Sequence, residues 1–152
     1  MDLWVKKLLR KKLDLEKFQR PEITIDQAIK ILEDSQKNQQ LLIVGSEKNQ
    51  IVVLLRPTSN WVAEIDVIAD CKGMLKLYKN LKRMEKWFWE THPKVHRLEM
   101  ITSNKKVVSL ASRYGCIPEG VKKESYIEYN NNMKYKNEYM FGILNPNHKM
   151  EN

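Results

Sequence analysis

Three apolar runs follow one another between residues 41 and 69, and only short polar segments separate them. The first two runs, in "LLIVGSEKNQIVVLLRP", flank a polar Gly-Ser-Glu-Lys-Asn turn, and the third run, "WVAEIDVIAD", follows the turn "PTSN". Short β-branched runs on both sides of a turn are typical of a β-hairpin, which a third run can extend. We therefore expect three successive strands that form an antiparallel meander.

Two helices are predicted before this meander. Apolar and basic positions alternate at roughly helical spacing over residues 2 to 18, which predicts a basic amphipathic helix within residues 1–20. Its apolar stripe can pack on its own domain or on a partner, and binding at a membrane surface is a further reading. The segment "TIDQAIKILEDSQKN" predicts a second helix that Thr24 or Asp26 would cap.

The second half of the chain alternates between helices and strands. A helix is expected from Met74 to Pro93, then the strand "HRLEMITS", and then the helix "NKKVVSLASRY", which Gly115 would end. Two last strands, "GVKKESYIEY" and "EYMFGIL", are separated by the polar link "NNNMKYKN", and a flexible tail would cover residues 145–152. This order predicts one α/β (α+β) domain over residues 1–152, with a mixed central sheet of about six strands flanked by helices.

The charge balance indicates an anionic partner. The chain has 27 Lys and Arg against 19 Asp and Glu, a net charge of +8, and many of the lysines fall between residues 72 and 97. A phosphorylated cofactor, an acidic protein and nucleic acid all fit this charge. The sequence contains no recognisable nucleic-acid-binding module, so nucleic acid is the least favoured of the three.

Other classes of protein are disfavoured by the absence of their sequence patterns. The chain has no apolar run of 18 residues and no secretory signal pattern, so we expect no transmembrane segment and a cytoplasmic location. Cys71 and Cys116 are far apart in sequence and lack a CxxC spacing, and Pro93 separates His92 from His96. We therefore expect free thiols and no metal site.

Three segments carry a resemblance to a known family. The segment "NKKVVSLASRYGCIPEG", beginning at Asn104, the strand "EYMFGIL" and the segment "AEIDVIA" at residues 63–69 resemble motifs of the GNAT superfamily of N-acetyltransferases. The chain is most similar to the branch of ribosomal-protein N-terminal acetyltransferases and to divergent phage-encoded proteins of this family. The resemblance implies transfer of an acetyl group from acetyl-CoA to an unknown amine.

The resemblance also implies where the cofactor would bind. In this fold two neighbouring strands splay apart into a V, so that the backbone of "VIA" can pair with the pantetheine arm of the cofactor. The pyrophosphate would lie at the start of the following helix. The implied cofactor-binding residues are Val67, Ile68, Ala69, Lys72, Gly73, Met74, Lys76 and Asn104. Asn104 also reads as a plain helix N-cap, and the two roles are compatible.

Two carboxylates are the catalytic candidates. Strand alternation places Glu64 and Asp66 on one face of the third strand, with Ala63 and Ile65 on the other. Amine acetylation needs a base that takes a proton from the incoming ammonium, and Glu64 matches the position at which many members of the family carry a catalytic glutamate. In the alternative interpretation both carboxylates simply pair with lysines at an open edge of the cleft.

The turn "ADCKGMLK" departs from the family's cofactor loop, Arg/Gln-x-x-Gly-x-Gly/Ala. Aligned on Gly73, the chain has Asp70 in place of the basic residue and Leu75 in place of the last small residue. The family's helix tyrosine is replaced by Ala111. The second hypothesis is therefore a catalytically inactive structural or interaction protein of a phage or virion. Its protein contacts would be made by the N-terminal helix or by Trp87–Trp89.

Overall fold

A computed structural model describes residues 1–13, 22–128 and 134–148 of the chain. The elements in chain order are α1 (Leu3–Lys12), α2 (Ile25–Lys37), β1 (Leu42–Ser46), β2 (Ile51–Pro57), β3 (Val62–Ala69), α3 (Met74–Thr91), β4 (Arg97–Thr102), α4 (Lys105–Tyr114), β5 (Ile117–Glu128) and β6 (Lys134–Leu144).

The six strands form one mixed sheet in the order β1-β2-β3-β4-β6-β5. β1, β2 and β3 are antiparallel, which confirms the predicted meander. β3 and β4 are parallel, and β4, β6 and β5 are again antiparallel. The predicted fold class is therefore confirmed, and β1 and β5 are the two edges of the sheet.

The meander is covered by helices on both faces. On one face Leu8 and Leu9 of α1 and Ile29 of α2 pack against Val52 and Leu54 of β2. On the other face α3 packs Phe88 and Trp89 against side chains of β2, β3 and β4. Because β2 is buried from both sides, it lies at the centre of the main hydrophobic core.

These contacts bear on two predictions about partner surfaces. Val5, Leu8 and Leu9 of the α1 stripe pack on the protein's own domain, whereas Leu3 is 66% exposed, so a partner contact through this helix stays a prediction. In the aromatic cluster, Phe88 and Trp89 belong to the core and only Trp87 is exposed, at 41%. Sequence alone could not separate these cases, since both helices have amphipathic patterns that fit either a core or a partner.

Several boundaries differ from the prediction. α1 ends at Lys12, and residues 14–20 of the predicted N-terminal helix lie outside the described residues. β5 begins at Ile117, three residues early, and β6 begins at Lys134, inside the predicted polar link. Both strands extend because they pair with each other along their length, which a polar sequence on an exposed strand does not reveal.

The helix caps follow the sequence closely. Thr24 and Gln27 form a capping box at α2, in which the Gln27 N–H donates to Thr24 Oγ1 at 3.2 Å and the Thr24 N–H donates to Gln27 Oε1 at 2.8 Å. At α4, Asn104 is the N-cap, and Gly115 ends the helix in the left-handed region with φ of 96°.

The predicted flexible tail is described as far as His148. Asn145 is buried and its side-chain amide donates to the Val95 carbonyl at 2.9 Å. The His148 ring stacks on that of His96, with the ring centroids 3.6 Å apart. Asn145 and His148 therefore contact the rest of the domain, and the flexibility of the tail stays a prediction.

Candidate active site

The sheet splits between its two parallel strands. β3 pairs with β4 only from Val62–Arg97 to Glu64–Glu99, although β3 continues to Ala69 and β4 to Thr102. Beyond this pairing the strands diverge around a cleft of about 500 Å³. This is the V-shaped splay that the resemblance implied, and the last paired residues, Glu64 and Glu99, mark its closed end.

The hydrogen-bond alternation of β3 shows which backbone groups face the cleft. The Asp70 N–H donates to the Gln50 carbonyl at 2.9 Å, and this residue pair sets the antiparallel pattern with β2. Every second residue of β3 then bonds to β2, which directs the N–H and C=O groups of Ile65, Val67 and Ala69 toward the gap. Val67 and Ala69 thus suit the predicted pairing with a pantetheine arm.

Ile68 differs from its two neighbours. In the same pattern its backbone groups point to Val52 of β2, so they cannot pair with a ligand in the cleft. Its side chain lines the cleft and packs against the core between α1, α2 and the sheet. Ile68 therefore contributes an apolar wall rather than backbone hydrogen bonds.

The two candidate catalytic carboxylates line the cleft from one face of β3, as predicted. Glu64 lies at the closed end and Asp66 two residues further into the split. Their cross-strand partners in β2 are Arg56 and Leu54, and Leu54 belongs to the core under α1 and α2. The Glu64 Oε1 atom is 3.3 Å from an Arg56 guanidinium nitrogen, so Glu64 is paired with an arginine rather than a lysine.

Asn104 stands on the opposite wall and is the predicted N-cap of α4, whereas its contact with a cofactor stays a prediction. Its Oδ1 accepts a hydrogen bond from the Lys106 N–H at 2.9 Å, which caps α4, and the residue also lines the cleft. The capping hydrogen bond fixes the conformation of the Asn104 side chain. The residue is also exposed, so a ligand in the cleft can contact it.

Tyr114 was missed as a cleft residue in the sequence. It lines the cleft three positions after Ala111, and residues three apart are neighbours on one helix face, which is the signal that could have placed it there. Its hydroxyl donates to Glu85 Oε2 at 3.0 Å, and the Lys82 Nζ is 4.0 Å from its ring centroid. Burial, followed by the charge of Glu85, raises the pKa of Tyr114, so it remains protonated at neutral pH.

The turn after β3 contains an ion-pair cluster. Lys11 and Lys12, at the end of α1, both contact the Asp70 carboxylate, and the Lys12 Nζ lies 3.2 Å from Asp70 Oδ1. Hydrogen bonds from Lys11 and then Lys12 lower the pKa of Asp70. The negative charge at this turn, which by itself would repel a phosphate, is therefore offset by two lysines.

The remaining predicted cofactor residues lie at the start of α3. Lys72, Gly73, Met74 and Lys76 are exposed and do not line the cleft. Gly73 is the N-cap of α3 with φ of 95°, and nothing lies within 4 Å of a Cβ placed there. Met74 and Leu75 point to solvent, at 51% and 66% exposure, so they do not fill the cleft.

The site fits the cofactor that the resemblance implies. The free strand edge at Val67 and Ala69 matches an arm built of amides, and the first N–H groups of α3 together with nearby lysines match phosphates. Among residues 1–13, 22–128 and 134–148, no three His, Cys, Asp or Glu residues are grouped to hold a metal ion. No helix in the described part of the chain is long and apolar enough to cross a membrane.

Comparison with known proteins finds the same architecture. No family model and no curated protein matches the sequence. A spermidine N-acetyltransferase from Vibrio cholerae, solved with CoA and spermine, superposes with a TM-score of 0.70 at 16% identity and covers 95% of this chain and 92% of its own. A putative acetyltransferase from Acinetobacter baylyi has a TM-score of 0.70 at 12% identity, covering 99% and 90%.

A third structure comes from the branch that the sequence motifs indicated. The ribosomal-protein-S5-alanine acetyltransferase from Vibrio fischeri has a TM-score of 0.60 at 16% identity and covers 82% of this chain and 72% of its own. At these identities the likeness concerns the fold. The predicted kinship with phage-encoded proteins stays a prediction. The chain has the fold of the GNAT N-acetyltransferases.

Proposed function

We propose that this protein is an acetyl-CoA-dependent N-acetyltransferase that acts on an amine. The observation that carries the proposal is the open edge of β3, where the backbone groups of Val67 and Ala69 face the cleft between two parallel strands. An exposed strand edge inside a cleft is a ready partner for an extended ligand that contains amides.

The proposed binding mode uses both ends of the cleft. Val67 and Ala69 would pair with the pantetheine arm, with Asn104 on the facing wall. The phosphates would lie beyond Ala69, at the turn and the start of α3, where backbone N–H groups lack partners within the helix. Lys72, Gly73, Met74 and Lys76 would contribute there from the solvent side.

Glu64 is the proposed general base. It lies where β3 and β4 begin to diverge, so an amine that reaches the end of the cleft meets its carboxylate. Arg56 contacts Oε1, and Oε2 can accept the proton of the incoming ammonium. Asp66, deeper in the open part of the split, is the second candidate for this role.

The proposed chemistry balances without a metal. Bound acetyl-CoA would supply the acetyl group as a thioester. The deprotonated amine would form the amide bond at the thioester carbonyl carbon and lose one further proton from its nitrogen. The carbon–sulfur bond would break, and a proton taken up by the sulfur would let CoA leave as the thiol. Because the Tyr114 hydroxyl already donates to Glu85, we do not assign it that proton transfer.

The acceptor is proposed only as an amine. The solved relatives act on a polyamine and on a ribosomal-protein alanine, which are different acceptors on one fold. We expect the protein to work in the cytoplasm, where acetyl-CoA is available and the free thiols of Cys71 and Cys116 stay reduced.

Ligand binding and turnover together test the proposal. Acetyl-CoA at millimolar concentration should raise the melting temperature, because a ligand that binds only the folded state stabilises it. Release of CoA thiol should then be measured with spermidine, with a peptide bearing an N-terminal alanine and with simple primary amines. Glu64→Gln should lower turnover roughly 100-fold or more while the acetyl-CoA shift is kept.

Glu90→Gln is the matched control, since Glu90 is an exposed carboxylate on α3, away from the cleft. It should leave turnover unchanged. The inactive structural protein of the second hypothesis predicts no acetyl-CoA shift and no turnover. That result, obtained with folded protein, would refute the enzyme proposal.

A further inference from the structure

α1 reaches across the molecule to the turn that follows β3. Lys11 and Asp70 are 59 positions apart in sequence, yet their side chains are in contact. Lys12 contacts the second carboxylate oxygen of Asp70 and, with Leu13, also lines the cleft beside Ala69. The end of α1 is therefore part of the cleft's rim.

The charge at this rim is strongly positive. Lys11 and Lys12 contact the acidic Asp70, and two further lysines, Lys72 and Lys76, follow it in the sequence. Lys11 and Lys12 remain 64% and 41% exposed, so their ammonium groups are accessible from solvent. Each ammonium has three N–H donors, and one contact with Asp70 leaves the others for a second anion.

We propose that Lys11 and Lys12 bind the phosphates of coenzyme A and that Asp70 positions them to do so. This inference rests on the proposed function. A pantetheine arm that follows the backbone of Val67 and Ala69 leads directly to Asp70, and its phosphates would emerge beside the two ammonium groups. The lysines supply from α1 the positive charge that the turn itself lacks at position 70.

Asp70 would position Lys11 and Lys12 rather than repel the phosphates of the ligand. Lysine side chains are long and flexible, and holding two of them in place costs conformational entropy. Asp70 orders both lysine side chains before a ligand binds, because it holds their ammonium groups at the mouth of the cleft. Less conformational entropy is then lost when the ligand binds. A phosphate then joins an existing cluster of charges.

The test compares two ligands of which only one carries the phosphates, together with the adenosine, of CoA. CoA and pantetheine share the same arm, but pantetheine has no phosphates. In calorimetric titrations, the double variant Lys11→Ala/Lys12→Ala should bind CoA roughly tenfold more weakly than the original protein. Its affinity for pantetheine should be unchanged, which also shows that the cleft is intact.

Two further variants sharpen the result. Lys7→Ala removes a charge from an exposed position on the same helix, outside the cleft, and should leave CoA affinity within about twofold. Lys11→Arg/Lys12→Arg keeps both charges and should restore most of the affinity. The CoA affinity of the original protein should also fall more steeply with salt than that of the alanine double variant.

The outcomes separate this inference from the proposed function. Equal weakening for CoA and pantetheine, or no change for CoA with an unchanged salt dependence, would overturn the role of the lysines while acetyl-CoA binding stands. If the original protein binds neither CoA nor acetyl-CoA, the proposed function fails and the inference fails with it.

Discussion

The two halves of the sheet are built differently, although they are joined through one short parallel pairing. In the half made of β1, β2 and β3, helices cover both faces, and Ile51 and Val52 are fully buried. In the half made of β4, β6 and β5, Ala111 of α4 forms a small cluster with Cys116 and with Phe141 of β6, and residues 117–125 of β5 are all exposed.

This difference assigns different tasks to the two halves. Buried apolar area is the main source of folding stability, so the first half should carry most of it. The second half adds less to the core, yet it supplies the far wall of the cleft. Substitutions in a wall with few core contacts should cost little stability. Such substitutions can therefore alter the shape of the cleft while the fold is kept.

The largest expected contrast comes from matched isoleucines. Ile51→Ala in β2 removes a fully buried side chain and should lower the free energy of unfolding by about 3 kcal/mol. Ile117→Ala in β5, at 45% exposure, should cost less than about 1 kcal/mol. Urea unfolding followed by circular dichroism measures both. Similar losses for the two variants would mean that the second half contributes equally to the core.

Two strand glycines provide a smaller contrast. A Cβ at Gly45 in β1 would lie 2.6 Å from the Trp4 ring and 2.9 Å from the Ile51 carbonyl oxygen. Neither group can move freely, so Gly45→Ala should cost about 1 to 3 kcal/mol. A Cβ at Gly142 in β6 would instead meet the Glu119 carboxylate, which Arg97 holds at 2.5 to 2.6 Å.

Because the Glu119 side chain is flexible, Gly142→Ala should cost less than about 1 kcal/mol, mainly through the weakened contact with Arg97. The control is Gly142→Ala in a Glu119→Ala background, which should be close to neutral relative to Glu119→Ala alone. Thermal unfolding of Gly45→Ala, Gly142→Ala, Glu119→Ala and the double variant, each against the original protein, gives the stability changes to be compared. A larger loss at Gly142 than at Gly45 would contradict it.

The smallest expected effect is a difference between the alkylation rates of the two cysteines. Burial, and then the charge of Glu85, raises the pKa of the Cys116 thiol. A raised pKa reduces the thiolate fraction at neutral pH, so alkylation of Cys116 should be slow and should accelerate as the pH rises above the usual thiol range. Cys71 is partly exposed and should react first at pH 8.

Mass spectrometry of iodoacetamide-treated protein can follow each cysteine separately. Cys71→Ser should leave only the slow reaction. Equal rates for the two cysteines at pH 8 would show that the second half opens often enough to expose Cys116.

Local sequence patterns predicted most of the fold. The β-branched runs around residues 41–69 predicted the meander, and Thr24, Asn104 and Gly115 marked helix ends because caps depend on neighbouring residues. The start of β6 at Lys134 was missed because pairing with β5, rather than local preference, extends that strand. The splay of β3 and β4 came from the family resemblance alone.

The site was predicted less completely, since it depends on contacts between distant segments. Glu64, Asp66, Val67 and Asn104 line the cleft. Strand alternation predicted that Glu64 and Asp66 share one face of β3, whereas the family resemblance implied the places of Val67 and Asn104. The contact of Lys11 with Asp70 could not be predicted, because nothing in either local sequence refers to the other. Tyr114 lies three positions after Ala111, and helix geometry places the two residues on one face of α4.

The exposed edge of the sheet has a consequence for how the protein behaves at high concentration. A long strand with an open edge invites pairing with a second molecule and, in the end, aggregation. β5 is irregular between Pro118 and Gly120 and again between Lys122 and Tyr126, and Glu124 has a positive φ of 51°. These breaks, with the lysines at 122 and 123, interrupt the flat template that another strand would need.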